Sequence, residues 1–174
     1  MTNDTPSRVL ALELRHRRIG FAVLEGPGRL LDTGVKRYQY SGHVLAILRP
    51  IVTIFEPCAL ALRQANHRTL EHRKSASATV HLVRTECNRQ SVGFNRISTH
   101  DVRHAFGDSG TSKEEIAAEV ARIFPELQWQ LPPTRHKRSW ISEGWNMPLF
   151  DAVATGLTYF ANLDELHGTE IRNS

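Results

Sequence analysis

Cysteine is nearly absent from the chain: its 174 residues include two, Cys58 and Cys87. They form no CxxC, and no zinc-ligand spacing surrounds them. This argues against a disulfide-stapled scaffold and suits a reduced, cytoplasmic protein. Long apolar runs are missing as well. No stretch approaches the roughly 20 apolar residues of a membrane span. The opening MTNDTPSR lacks the apolar core of a secretory leader. No membrane partner is therefore expected. Internal repeats and low-complexity tracts are also lacking.

What is present is ordinary globular material, with 40% hydrophobic and 23% charged residues. The length suits a single domain over residues 1–174, with enough chain for a full core. The formal charge is +4, and nine histidines add to it below neutral pH. A basic balance favours a polyanionic partner, nucleic acid first among them.

The chain opens on Arg8 to Glu25, RVLALELRHRRIGFAVLE, which reads as two strands joined by a tight basic turn. Val9 to Leu12 is apolar at every position, as in a central strand covered on both faces. Glu13 ends that run. A buried carboxylate there needs a partner. It is either a metal or proton-handling group, or a rim residue at the edge of solvent. Glu25-Gly-Pro-Gly28 reads as a turn, and Leu30 to Tyr38 as a third strand. Ser41 is placed to cap a helix whose face is Val44, Leu45, Leu48, Val52 and Phe55. Pro50 inside it predicts a kink.

Beyond Pro57, Cys58 to Leu62 reads as a buried fourth strand, followed directly by Arg63. Residues 64 to 84 look helical but polar, and Ser91 to Ile97 reads as a fifth strand. A short helix runs from Thr99 to about Phe106. Thr111 to Glu114 and Ser112 to Glu115 both fit a capping box, opening a helix that buries Ile116, Val120, Ile123 and Phe124. Residues 125–146 read as a long loop with three prolines, the basic block Arg135 to Arg138, and Trp129, Trp140 and Trp145. Loops of that length are usually functional or disordered. The last helix is predicted from about Met147 to Leu166, packing through Val153, Leu157 and Phe160, with Asp151 near its start. Three hairpin-linked strands followed by helix-linked strands imply an α/β fold: a mixed five-stranded sheet with helices on both faces.

This order, with ALELRHRRIGFAV, PCALALR, FNRISTHDVRHAFGDSGTSKEEIAAEV and PLFDAVATGLTYF, resembles the RNase H-like superfamily and, within it, the RuvC-type Holliday junction resolvases. The resemblance spans roughly residues 8 to 162. It implies four catalytic acids. Glu13 takes the first position, where the family has Asp. Arg63 stands at the second, Pro148 at the third and Asp151 at the fourth. The resemblance also implies two divalent ions, Mg²⁺ or Mn²⁺, and a homodimer acting on branched DNA. Two metals roughly 3.5–4 Å apart would stabilise the attacking and leaving oxygens of the phosphodiester. Glu13 and Asp151 are the catalytic and metal-ligating candidates that remain.

Arg63 at such a site repels a metal and attracts a phosphate. It can also pair with Glu13 or Asp151, an internal counter-ion in place of metal; this is the most economical reading of the substitution. Glu143, His100 and His104 are candidates to replace a lost ligand, the two histidines lying four apart on one helical face. Glu56 and Glu71 flank the fourth strand. Candidate nucleic-acid contacts form three basic patches, Arg15, Arg17 and Arg18; Arg68, Arg73 and Lys74; and Arg135, Lys137 and Arg138, with Arg63 beside them. Trp140 and Trp145 would stack on an unpaired base or anchor their loop to the core. Two functions stay open: a divergent metal-dependent junction nuclease, or a degenerate RNase H-like protein that binds nucleic acid or a protein partner without cleavage. A sugar-kinase-like phosphotransferase is set aside, because the glycine-rich phosphate loops it needs after the paired strands are missing.

Overall fold

The structure, a computed structural model, describes residues 7–64, 70–107, 112–132 and 144–172. Five strands, β1 (Arg8–Arg15), β2 (Arg18–Glu25), β3 (Leu30–Arg37), β4 (Ala59–Gln64) and β5 (Gly93–Arg96), form one sheet in the order β3-β2-β1-β4-β5. The first three pair antiparallel, and β4 and β5 join β1 in parallel. Helices α1 (Ser41–Phe55), α2 (Leu70–Arg89), α3 (Thr99–Ala105), α4 (Lys113–Ile123) and α5 (Met147–Arg172) cover it.

The central strand β1 is buried from Val9 to Arg15, so its two faces feed two cores. Leu10, Leu12 and Leu14 face α1 and α2, meeting Val44, Leu48, Val80 and Val83. Val9 and Ala11 face the other way, toward Ile116 and Val120 of α4 and Phe150 and Val153 of α5. Successive strand side chains alternate between faces. Glu13 and Arg15 therefore share the α5 side with Ala11. The same alternation along β4 puts Arg63 there, in line with Ala59 and Ala61.

Helix α5 approaches the sheet closely because small residues line the contact. A Cβ built on Gly156 would sit 2.5 Å from Leu24 Cδ1 and 3.2 Å from the Ala11 Cβ. At Gly20 the fit is tighter, since an added Cβ would lie 1.9 Å from the Pro148 carbonyl oxygen. Glycine at position 20 therefore sets how near the start of α5 comes to β2.

Several local expectations need correcting. The N-cap of α1 is Tyr40, which makes no side-chain cap. Ser41 is the first helical residue, and its hydroxyl meets that of Thr79 on α2 at 2.8 Å. Pro50 does lie inside α1, as expected. Both Pro50 and Ala46 are exposed, so the carbonyl deprived of its helical donor can face water. Arg63 lies within β4 rather than after it. The polar-looking α2 runs from Leu70 to Arg89 and carries a narrow buried stripe of Ala76, Thr79, Val80, Val83 and Cys87. Of the two overlapping capping boxes, Ser112 with Glu115 is the one formed. A further box, Ser98 with Asp101, opens α3. Ile123 is exposed rather than core. The loop expected over 125–146 begins as a 3₁₀ turn, Pro125–Gln130, anchored by buried Leu127. Residues 133–143 lie outside the described residues.

The Gly20 contact is directly testable. Gly20→Ala is expected to lower stability by ~3 kcal/mol through overpacking. Gly28→Ala, with nothing within 4 Å of the added carbon, should stay within about 0.5 kcal/mol of the parent. Urea denaturation of both variants measures the difference.

Candidate functional site

The register of three strands builds the site. Gly20, Glu13 and Arg63 are direct partners across β2, β1 and β4. Two residues further along β1, Arg15 returns to the same face. Asp151 descends from the second turn of α5. All four ionic groups are sealed, with exposures of 1% for Glu13, 6% for Arg15, 4% for Arg63 and 1% for Asp151.

They close into a ring of alternating charge. Arg63 Nε donates to Glu13 Oε2 at 2.7 Å, and Arg63 Nη2 lies 2.7 Å from Asp151 Oδ1. Arg15 Nη2 donates to the other Asp151 oxygen, Oδ2, and Arg15 Nε reaches Glu13 Oε1 at 3.4 Å. Each carboxylate thus faces both guanidiniums, and the formal charges cancel. Burial pushes the Glu13 carboxyl up, with Arg63 opposing that rise and Asp151 adding to it. For Arg63, burial pulls downward, but Glu13 and Asp151 together outweigh it and raise the guanidinium above its ordinary value. Lys113, at the start of α4, lies within electrostatic reach of the ring. Desolvation pulls its ammonium below the ordinary lysine value, and Asp151 pulls against that.

No protein-family model matches this sequence, and no curated protein matches it significantly. Its architecture does have counterparts. RuvC from Thermus thermophilus in complex with a Holliday junction substrate superposes with a TM-score of 0.68 at 20% identity, over 90% of this chain and 96% of that one. A second Thermus thermophilus RuvC structure gives 0.67 at 22% identity over the same shares. The yeast mitochondrial Holliday junction resolvase Ydc2 gives 0.61 at 11%, over 97% and 85%. The chain has the RuvC-like, RNase H-like fold.

A RuvC-like fold implies divalent metal, and the donor set here does not fit it. Both carboxylates are engaged by guanidiniums that occupy the space between them. A hard divalent cation needs several oxygen ligands in near-octahedral order. Among the described residues no group of three His, Cys, Asp or Glu side chains could hold one. His100 and His104 do share a face of α3, their rings 6.4 Å apart, and both are exposed. Glu56 is an exposed left-handed cap after α1. Glu143 and the Glu71 side chain fall outside what is described.

Glu13 and Asp151, the remaining acid candidates, are brought together with Arg63 between them. Arg15, a phosphate candidate, is instead buried against carboxylates, and of the two readings of Arg63 the geometry has the counter-ion, paired with both Glu13 and Asp151. The signal for Arg15 lay in strand alternation: positions 9, 11, 13 and 15 share a face, and β1 runs on to Arg15 rather than turning before it. Of the other basic candidates, Arg17, Arg73 and Lys74 are exposed, and Arg18 is half-buried. The His16 and His72 rings stack at 4.0 Å, so the first and second basic patches adjoin. Arg68, Arg135, Lys137, Arg138 and Trp140 lie outside the described residues. Trp129 and Trp145 are 81% and 44% exposed, so neither is a core anchor.

Removing one member of the ring strands a buried charge. Arg63→Met is expected to cost about 3–5 kcal/mol, with partial recovery on adding Glu13→Gln, read from a double-mutant cycle in urea. The single variant should also show a larger pH dependence than the parent. Without Arg63, burial holds the Glu13 carboxyl higher still, above its unfolded value. In that window the native state binds the extra proton, so stability falls as pH rises through it. Denaturation midpoints measured from acid to neutral pH test this sign.

Proposed function

We propose that this chain binds branched or otherwise structured DNA without cleaving it, as a RuvC-like protein whose metal centre has become an internal ion ring. The observation that carries this reading is the ring itself. A catalytic metal works by neutralising charge between carboxylates and offering open positions to phosphate oxygens. Here Arg15 and Arg63 neutralise the same carboxylates permanently and offer no open position. For Glu13 and Asp151 to hold a cation, both guanidiniums would have to leave buried pairs. The resemblance supports the same conclusion, because it places Arg63 and Pro148 at two of the family's acid positions.

Binding is supported by the net charge and by the joined surface of Arg17, Arg18, Arg73 and Lys74. Arginine and lysine on phosphates release counterions, which gives affinity with strong salt dependence and little sequence preference. The neighbours in structure are a RuvC bound to a Holliday junction substrate and a mitochondrial resolvase. A junction is therefore the natural first substrate to offer.

Two measurements with a synthetic four-way junction test the proposal. Binding should weaken steeply as salt rises, and Arg73→Gln with Lys74→Gln should flatten that dependence. In Mn²⁺ or Mg²⁺ the junction should remain intact. Nicking by the wild type that Asp151→Asn abolishes would show a working metal site and overturn the proposal.

A further inference from the structure

A second row of residues lies one step beyond the ring. Arg15, Arg18 and Arg37 are direct partners across β1, β2 and β3. Like charges placed opposite one another destabilise a sheet. Arg15 is compensated by Asp151 and Glu13. Among the described residues, no acidic side chain pairs with Arg18 or Arg37. Their contact is instead with an aromatic ring, that of Trp145 just before α5. The Arg18 guanidinium carbon lies 5.4 Å from its centroid and that of Arg37 4.7 Å. Partial burial lowers the Arg18 guanidinium, and the charges of Arg15 and Arg37 lower it further.

These side chains border an open cleft of about 610 Å³, which His16, Arg17 and Tyr38 also line. Tyr38 is buried and fixes the floor: its hydroxyl donates to the Arg15 carbonyl at 2.5 Å. Arg17 holds a φ of 56°. That left-handed conformation suits glycine or asparagine better than arginine, so the turn keeps a cation where the backbone favours another residue.

We propose that this cleft is a nucleotide site, in which Arg18 and Arg37 hold a backbone phosphate and an unpaired base stacks on Trp145. The site rests on the nucleic-acid reading above and narrows it to strands with unstacked bases. Two convergent cations without an acid are relieved by an anion. The indole is 44% exposed, and such a ring stacks on planar partners, guanidinium and base alike. The volume matches one small ligand. An acidic peptide would satisfy the charge but would bring no flat ring to the exposed part of the indole.

The test is fluorescence anisotropy with a labelled single-stranded oligodeoxynucleotide, a fully abasic strand of the same length, and poly-glutamate. Trp145→Ala should weaken the base-bearing strand about tenfold, leave the abasic strand unchanged, and be rescued by Trp145→Phe. Arg18→Gln and Arg37→Gln should each lower the salt slope by about 0.7. Wild-type binding that none of these variants alters would overturn the cleft assignment while leaving nucleic-acid binding intact. A wild type that binds neither strand nor a four-way junction would overturn both readings. Arg37-dependent capture of poly-glutamate in that case would identify an acidic protein as the occupant.

Discussion

The closed ring of Glu13, Arg63, Asp151 and Arg15 is the constraint on which the rest of the structure turns. Charges taken out of water are tolerable only when each meets its opposite at short range. Here that demand fixes three elements at once. A one-residue slip of β4 against β1 would turn Arg63 to the opposite face of the sheet and leave both acids short of a partner. A rotation of α5 would withdraw Asp151 from both arginines. The approach of α5 over Gly20 and Gly156 and the parallel register of β4 therefore serve one electrostatic arrangement.

Much of this was legible in the sequence because the central strands state their surroundings plainly. Val9 to Leu12 and Ala59 to Leu62 are apolar on both faces, which only a covered sheet allows. The helices of the α5 face announce themselves through Ile116, Val120, Val153 and Phe160. The meeting of Glu13, Arg63 and Asp151 followed from placing each at the end of a strand or the start of a helix. What stayed hidden depended on register. Arg15 looked like a turn residue because three basic neighbours follow it. Its burial emerges only once β1 is known to run its full length. Arg37 carried no local signal at all: its significance comes from standing opposite Arg18, a pairing set by the β2–β3 register. The α2 helix looked polar because its apolar stripe is narrow and partly made of alanine and threonine.

The positive charge of the molecule is divided between two environments. Arg15 and Arg63 are internal and bound to carboxylates, where dissolved salt has little access. Arg17, Arg37, Arg73 and Lys74 are exposed and Arg18 is half-buried, and the patches they form meet at the His16–His72 contact. The buried arginines pair their charge with Glu13 and Asp151, so the positive surface of the molecule is carried by the others. The fold accommodates these four buried charges because each guanidinium neutralises carboxylates that would otherwise stand alone.

The position of β3 has a further consequence. Among the described strands it is an outer one, and an outer strand edge is of the kind that recruits other chains into ordered aggregates. Lys36 and Arg37 stand exposed at its end. Two molecules meeting edge to edge there would bring like charges together. Charge at the end of an outer strand opposes edge-to-edge pairing of like surfaces, so Lys36 and Arg37 set the electrostatic character of that edge.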